Sequence, residues 1–179
     1  MYVALRDALD DQSGVKMTYL EGVLELMSPS LLHEEAKSII ARLLETWAVE
    51  HDIDLRAFGS TTFRREAVQR GLEPDECYVI GPLVEGGVPD IAIEVIVSNT
   101  LVDKMAVYAG LGVREVWTWR PETRAIDVHG LVDDHYESCP MSRVLPTLDL
   151  AELSRHVLTG QNQTQLIKAY QQALRGRSS

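Results

Sequence analysis

Apolar residues recur at helical spacing through residues 31–50, where Leu31, Leu32, Ala36, Ile39, Ile40, Leu43, Leu44 and Trp47 mark one face and Ser30 stands where an N-cap belongs. Ahead of this helix, residues 17–27 read as a hairpin of two short apolar-rich strands turning at Glu21-Gly22, and Ser28-Pro29-Ser30 stops the second strand. A short helix at residues 4–9 and a turn at Ser13-Gly14 precede the hairpin. Residues 53–58, 61–65 and 77–80 read as short strands separated by Gly, Pro and charged turns. Residues 91–97 are nearly continuous β-branched or apolar sequence, the pattern of a strand buried on both faces. An amphipathic helix is predicted over 100–111, ending at Gly112, and residues 115–119 resume as a strand. Strand, helix and strand at this spacing point to a crossover between parallel strands. Residues 125–129 and 135–139 read as an outer hairpin, and 150–158 and 162–174 as two C-terminal helices.

This pattern predicts an α/β fold, a sheet with helices packed on it. At 179 residues with 45% apolar content, one domain with one core is expected. No run reaches the ~18 uninterrupted apolar residues of a membrane span, and the N-terminus lacks the layout of a secretory signal, so a cytoplasmic protein is expected. Cys77 and Cys139 have neither a pairing pattern nor His neighbours at zinc spacing, which predicts reduced thiols.

The formal charge of −10 excludes a broad basic face for nucleic acid, because phosphate neutralisation needs clustered Lys and Arg. A cleft can still be locally basic on an acidic molecule, and bound cations offset metal-ligating carboxylates. Arg64, Arg65 and Arg70 form the local basic cluster, which a solvated loop also explains.

A carboxylate in a strand buried on both faces costs several kcal/mol unless it is paired, hydrogen-bonded, metal-bound or protonated. Glu94 stands in that position. Alternation puts Asp90, Ala92, Glu94 and Ile96 on one face, with Asp90 about 13 Å away at ~3.3 Å per residue, too far to share an ion. A second carboxylate must come from a neighbouring strand. Asp75, in Pro74-Asp75 before the 77–80 strand, is placed for this if that strand pairs antiparallel with 91–97. Asp75 and Glu94 together suit one Mg²⁺ or Mn²⁺, which takes one or two carboxylates, waters and phosphate oxygens. Lys104, in the helix leaving the Glu94 strand, is placed to orient or deprotonate an attacking water. The same residues also fit a bland reading, in which Asp75 caps a turn and Glu94 pairs with Lys104 as a structural ion pair.

At these positions the sequence resembles the Uma-two family of restriction-endonuclease-like proteins, within the PD-(D/E)XK nuclease superfamily. The resemblance runs through Thr18-Tyr19-Leu20-Glu21-Gly22, Met27-Ser28-Pro29-Ser30 with His33, Gly59-Ser60-Thr61-Thr62-Phe63-Arg64-Arg65-Glu66 and Gly71-Leu72-Glu73-Pro74-Asp75-Glu76-Cys77. It continues through Pro89-Asp90, Glu94-Val95, Tyr108-Ala109, Gly112-Val113, Glu115-Val116-Trp117 and Leu148-Asp149-Leu150. It implies a restriction-endonuclease-like central mixed sheet flanked by helices, a metal held by Asp75 and Glu94, DNA as substrate, and a homodimer. The superfamily's Glu-X-Lys is broken, since Ile96 stands two after Glu94; Lys104 matches a basic residue relocated to the following helix. A nuclease-fold binding or assembly module without catalysis is the competing expectation. His33 either approaches the cleft or caps and packs its helix. Glu45 either assists a metal or faces solvent, and Trp47, Trp117 and Trp119 are expected in the core rather than as base-stacking platforms.

Overall fold

The apolar stripe of residues 31–50 folds as a single helix, α1 (Leu31–Glu50), capped by the Ser30 hydroxyl, which accepts from the His33 backbone N–H at 3.2 Å. The computed structural model describes residues 16–20, 23–60, 63–65, 70–82, 84, 86–97 and 103–177. The expected helix at 4–9 and the turns at Ser13-Gly14 and Glu21-Gly22 lie outside the described residues, as does the start of the helix expected from residue 100.

Among the described residues, ten strands fall into two sheets. The hairpin forms as expected, with β1 (Lys16–Leu20) antiparallel to β2 (Val23–Met27). It does not join the central sheet. It belongs to a four-stranded sheet of order β2-β1-β5-β4, completed by β4 (Phe63–Arg65) and β5 (Arg70–Leu72). Sequence reading missed β5, because Arg70-Gly71-Leu72 has weak strand propensity. Its pairing with Thr18–Leu20 on one side and with β4 on the other overrides that weakness. The segments carrying Arg64, Arg65 and Arg70 are therefore paired strands rather than a solvated loop.

The second sheet has six strands in the order β10-β9-β8-β7-β6-β3: β3 (Leu55–Ala57), β6 (Glu76–Ile80), β7 (Ile91–Val95), β8 (Glu115–Trp119), β9 (Ile126–Val132) and β10 (His135–Cys139). It is mixed. β7 and β8 run parallel, joined through α2 (Lys104–Leu111), and every other pair is antiparallel. All five residues of β7 and of β8 are buried, as the continuous apolar run of β7 requires of a strand covered on both faces. Helix α2 starts at the Asp103 cap and ends at Gly112, whose φ of 86° is the left-handed conformation that glycine adopts without strain.

The two faces of this sheet have separate cores. Ile91, Ile93, Val95, Trp117 and Trp119 pack against α1 and the C-terminal helices α3 (Leu150–Arg155) and α4 (Gln163–Arg177). Ala92 and Val116 face the other way, against Val107, Tyr108 and Leu111 of α2. Trp47, Trp117 and Trp119 are core residues, each at most 2% exposed.

Glu115 is a second buried carboxylate in the central strands, and protein donors satisfy it. It accepts from Trp117 Nε1 (2.9 Å), Ser142 Oγ (2.7 Å) and the backbone N–H groups of Arg143 (2.5 Å) and Val144 (3.1 Å). These bonds fasten the loop after β10 to the sheet. Glu115→Ala leaves those donors unpaired in the interior and is expected to lower the unfolding free energy by about 3 kcal/mol or more. Exposed Glu122→Ala is expected to change it by less than about 0.5 kcal/mol. Urea denaturation of the two variants checks this, and equal midpoints would contradict the structural role of Glu115.

Candidate active site

Glu94 projects from β7 on the α2 side of the sheet, since its neighbours Ile93 and Val95 fill the α1 core. The helix that covers this face answers its charge. Lys104 and Tyr108, four apart and so on one side of α2, both reach the carboxylate: Lys104 Nζ lies 2.7 Å from Oε2, and the Tyr108 hydroxyl donates to Oε1. Glu94 is 3% exposed. Its carboxyl is pushed above the usual range by burial and then by the charge of Asp75, against the pull of Lys104 and Tyr108. Burial and the Glu94 charge push the Tyr108 hydroxyl well up. Burial pulls Lys104 down, but the Glu94 and Asp75 charges outweigh it and leave its ammonium held above its ordinary value.

Asp75 immediately precedes β6, the antiparallel neighbour of β7. Its backbone N–H donates to Ile93 O at 3.2 Å, and its Oδ2 accepts from the Val95 N–H at 2.7 Å, so the carboxylate is fastened to the residues on either side of Glu94. It is fully buried. Lys16, at the start of β1, pairs with Oδ1, and His33 Nε2 lies 2.8 Å from Oδ2. Burial alone would raise the Asp75 carboxyl. The contacts with His33 and Lys16 outweigh that and hold it below the usual range. His33 Nε2 is itself buried, and Asp75 Oδ2 is the polar atom beside it.

A cleft of about 690 Å³ opens above these groups, within the ~300–1,000 Å³ typical of ligand sites. Glu94, Lys104, Tyr108 and His33 line it, together with Ser28-Pro29-Ser30, the sheet residues Thr118 and His129, and Arg120 just past the end of β8. Of the residues expected to converge, Glu94 and Lys104 are in direct contact at the cleft wall. Asp75 lies beneath it, and its charge acts on Glu94. Asp90 is elsewhere, accepting from Ile80 N–H (2.8 Å) and Arg114 (2.9 Å). Glu45 does not line the cleft; its Oε1 accepts from the Tyr78 hydroxyl at 3.4 Å. Ile96 lines the cleft where the superfamily pattern has lysine, and the ammonium that meets Glu94 comes from Lys104.

Sequence reading missed Lys16 and Tyr108. The i, i+4 spacing of Lys104 and Tyr108 could have revealed the second. Nothing local marks Lys16, whose partner is 59 positions away. Among the described residues no group of three or more His, Cys, Asp or Glu side chains is arranged to hold a metal ion. No helix among them is long and apolar enough to cross a membrane.

Residues 2–160 match the model of the Uma2 family, described as "Putative restriction endonuclease". The fold is similar to the crystal structure of a "putative nuclease belonging to DUF820" from Anabaena variabilis, with a TM-score of 0.57 and 19% sequence identity. The match covers 79% of this chain and 91% of that one, and at this identity it speaks for the fold alone. No functionally curated protein matches the chain.

The Asp75 carboxyl, held below its unfolded value of about 3.9, contributes stability that is complete above that pH and is lost as pH falls through the folded value. Glu94 acts in the opposite sense, since its raised folded value makes ionisation costly as pH rises through it. Asp75→Asn is therefore expected to lower stability at pH 7 by about 1–3 kcal/mol, with the gap to the wild type narrowing below pH ~4. Urea titrations at stepped pH check this, and a gap constant from pH 7 to the acid limit of reversible folding would contradict it.

Proposed function

The chain belongs to the Uma2 family, and from that premise we propose that it is a Mg²⁺- or Mn²⁺-dependent endonuclease that hydrolyses phosphodiester bonds in DNA at the Glu94–Lys104 cleft. One observation carries the reading. The buried Asp75 carboxylate accepts from the backbone N–H of Val95, the residue after the buried Glu94, so two carboxylates are held on neighbouring segments at an open cleft. Like charges held together in this way favour a cation, as they do in enzyme metal sites.

The donor set suits a hard divalent ion. Mg²⁺ is commonly held by one or two carboxylates, with waters and substrate phosphate oxygens completing its shell, so a cluster of three protein ligands is not required. Asp75 and Glu94 would hold it, and the buried His33 Nε2 adjoins the Asp75 carboxylate. When bound, such an ion polarises the phosphate and lowers the pKa of a water.

The chain's own groups divide the remaining work. Tyr108 fixes one oxygen of Glu94 and Lys104 the other, so the carboxylate is oriented before substrate arrives. Lys104, 16% exposed on its side chain at the cleft wall, presents its ammonium to the attacking water or to a phosphate oxygen. The water oxygen bonds to phosphorus, the P–O bond to the leaving group breaks, and the water's proton passes through solvent or a neighbouring base to the departing oxygen.

The Lys104–Glu94 and Lys16–Asp75 pairs would equally serve a binding module without catalysis, so activity has to separate the two readings. With Mg²⁺ or Mn²⁺ the wild type is expected to cut supercoiled plasmid. Linear product is expected if chains act as a two-fold dimer, and open circles if one chain acts alone. Glu94→Gln should lower the rate by at least about 10²-fold with the fold intact. Lys104→Met, which keeps the apolar stem, should slow cleavage without abolishing metal binding. No cleavage by the wild type of DNA or RNA with either metal would overturn the reading in favour of the module.

A further inference from the structure

We propose that Thr118, Arg120 and His129 form a docking subsite for a backbone phosphate next to the reacting one, so that the cleft takes a polynucleotide strand laid across β8 and β9. The identity of the ligand rests on the nuclease reading; the subsite rests on geometry. Thr118 stands beside Glu94 in the register of the parallel β7–β8 pair, about 4.8 Å away in the sheet. Arg120 follows two residues later on the same face. His129 comes from β9, where it lies opposite Val116, and its Nε2 shares a hydrogen bond with the Thr118 hydroxyl at 3.2 Å. All three line the cleft that Glu94 and Lys104 enter from the other side.

Among the described residues, Arg120 shares its lack of a carboxylate partner with two other exposed arginines, Arg124 and Arg143, but it alone of the three lines the cleft. With 27 Asp and Glu against 17 Lys and Arg, the chain's surface arginines tend to sit on carboxylates, as Arg56, Arg114, Arg155 and Arg175 do. Arg120 is exposed and makes no ion pair among the described residues. Two acids lie nearby, Asp103 at the cleft and Asp127 on the same sheet face as Thr118 and His129, and neither forms an ion pair with Arg120 among the described residues. Asp103 lines the cleft but caps α2 by accepting from Ala106 N–H at 3.1 Å, and Asp127, opposite Thr118, is exposed and outside the cleft lining. Burial lowers the pKa of His129, with Arg120 adding to this and Asp127 opposing it. Arg120 carries the fixed positive charge of the three, and Thr118 and His129 supply hydrogen-bonding groups.

An arginine without a carboxylate partner, beside two hydrogen-bonding side chains in the cleft, suits a phosphate diester better than a carboxylate-bearing ligand. The reacting phosphate is placed at Glu94 and Lys104, so the Arg120 position in the same cleft takes a second anion. A substrate that fills both must carry phosphates in series, as a nucleic-acid strand does and a mononucleotide or phosphomonoester does not.

Fluorescence anisotropy of labelled single-stranded and duplex DNA, in EDTA and across about 50–200 mM salt, reads the subsite without cleavage. Arg120→Ala is expected to reduce the slope of log affinity against log salt by about 0.7–0.9, the loss of one phosphate contact, and to weaken binding about three- to tenfold. Arg120→Lys should restore the slope, and Arg175→Ala, outside the cleft, should leave it unchanged. Lys104→Met should impair cleavage more than this binding. If Arg120→Ala weakens binding but the wild type never cleaves, the subsite stands and the nuclease reading falls. An unchanged slope and affinity in Arg120→Ala, or no DNA binding by the wild type, overturns the subsite.

Discussion

Two carboxylates buried on neighbouring strands set the terms for the rest of the molecule. An ion removed from water costs several kcal/mol, and a like charge beside it adds to that cost. Asp75 and Glu94 lie one strand apart in the middle of the six-stranded sheet, where no backbone arrangement alone can neutralise them. Their compensation comes from three separately packed elements: Lys16 from the smaller sheet, His33 from the capped start of α1, and Lys104 with Tyr108 from α2. These elements therefore meet over the β6–β7 pair. The cleft is the space left above the point where they converge.

Glu115 shows that burial alone does not make a reactive carboxylate. It is as deeply buried as Glu94 and lies on the adjacent strand, but its partners are an indole, a hydroxyl and two backbone N–H groups, and it faces the main core. A network of neutral donors fixes a loop and is complete without a ligand. Glu94 instead meets a lysine and a tyrosine at the wall of an open cleft, with another negative charge behind it. The difference lies in the partners and in access from solvent, and it separates a structural anion from a group able to do chemistry.

Much of this was legible in local pattern. The 3.6-residue stripe of α1, the continuous apolar run of β7, the glycine that ends α2 and the glutamate stranded in β7 all have signatures within a few residues, and each is present, although β7 ends at Val95 rather than at residue 97. The antiparallel β6–β7 pair followed from placing Asp75 beside Glu94, and Lys104 from the reach of the next helix. What stayed hidden depends on distant pairing. β5 has a glycine at its centre and exists because β1 and β4 hold it on both sides. The hairpin's place in a separate sheet, and with it the Lys16 contact to Asp75, are decided by packing that no window of sequence contains. Arg120 and His129 line one cleft because β8 and β9 pair, and neither has a local signature.

Calorimetric titration of Mn²⁺ into the DNA-free protein tests most directly whether the two carboxylates form a metal site, and comparison of buffers with different ionisation enthalpies counts the protons exchanged. The wild type should bind one ion per chain and release protons on binding, because protons compete with the ion for its ligand carboxylates. Glu94→Gln should abolish both. Binding that survives in Glu94→Gln and in Asp75→Asn, or no binding by the wild type at millimolar Mn²⁺, would contradict the assignment and leave the two ion pairs as structural.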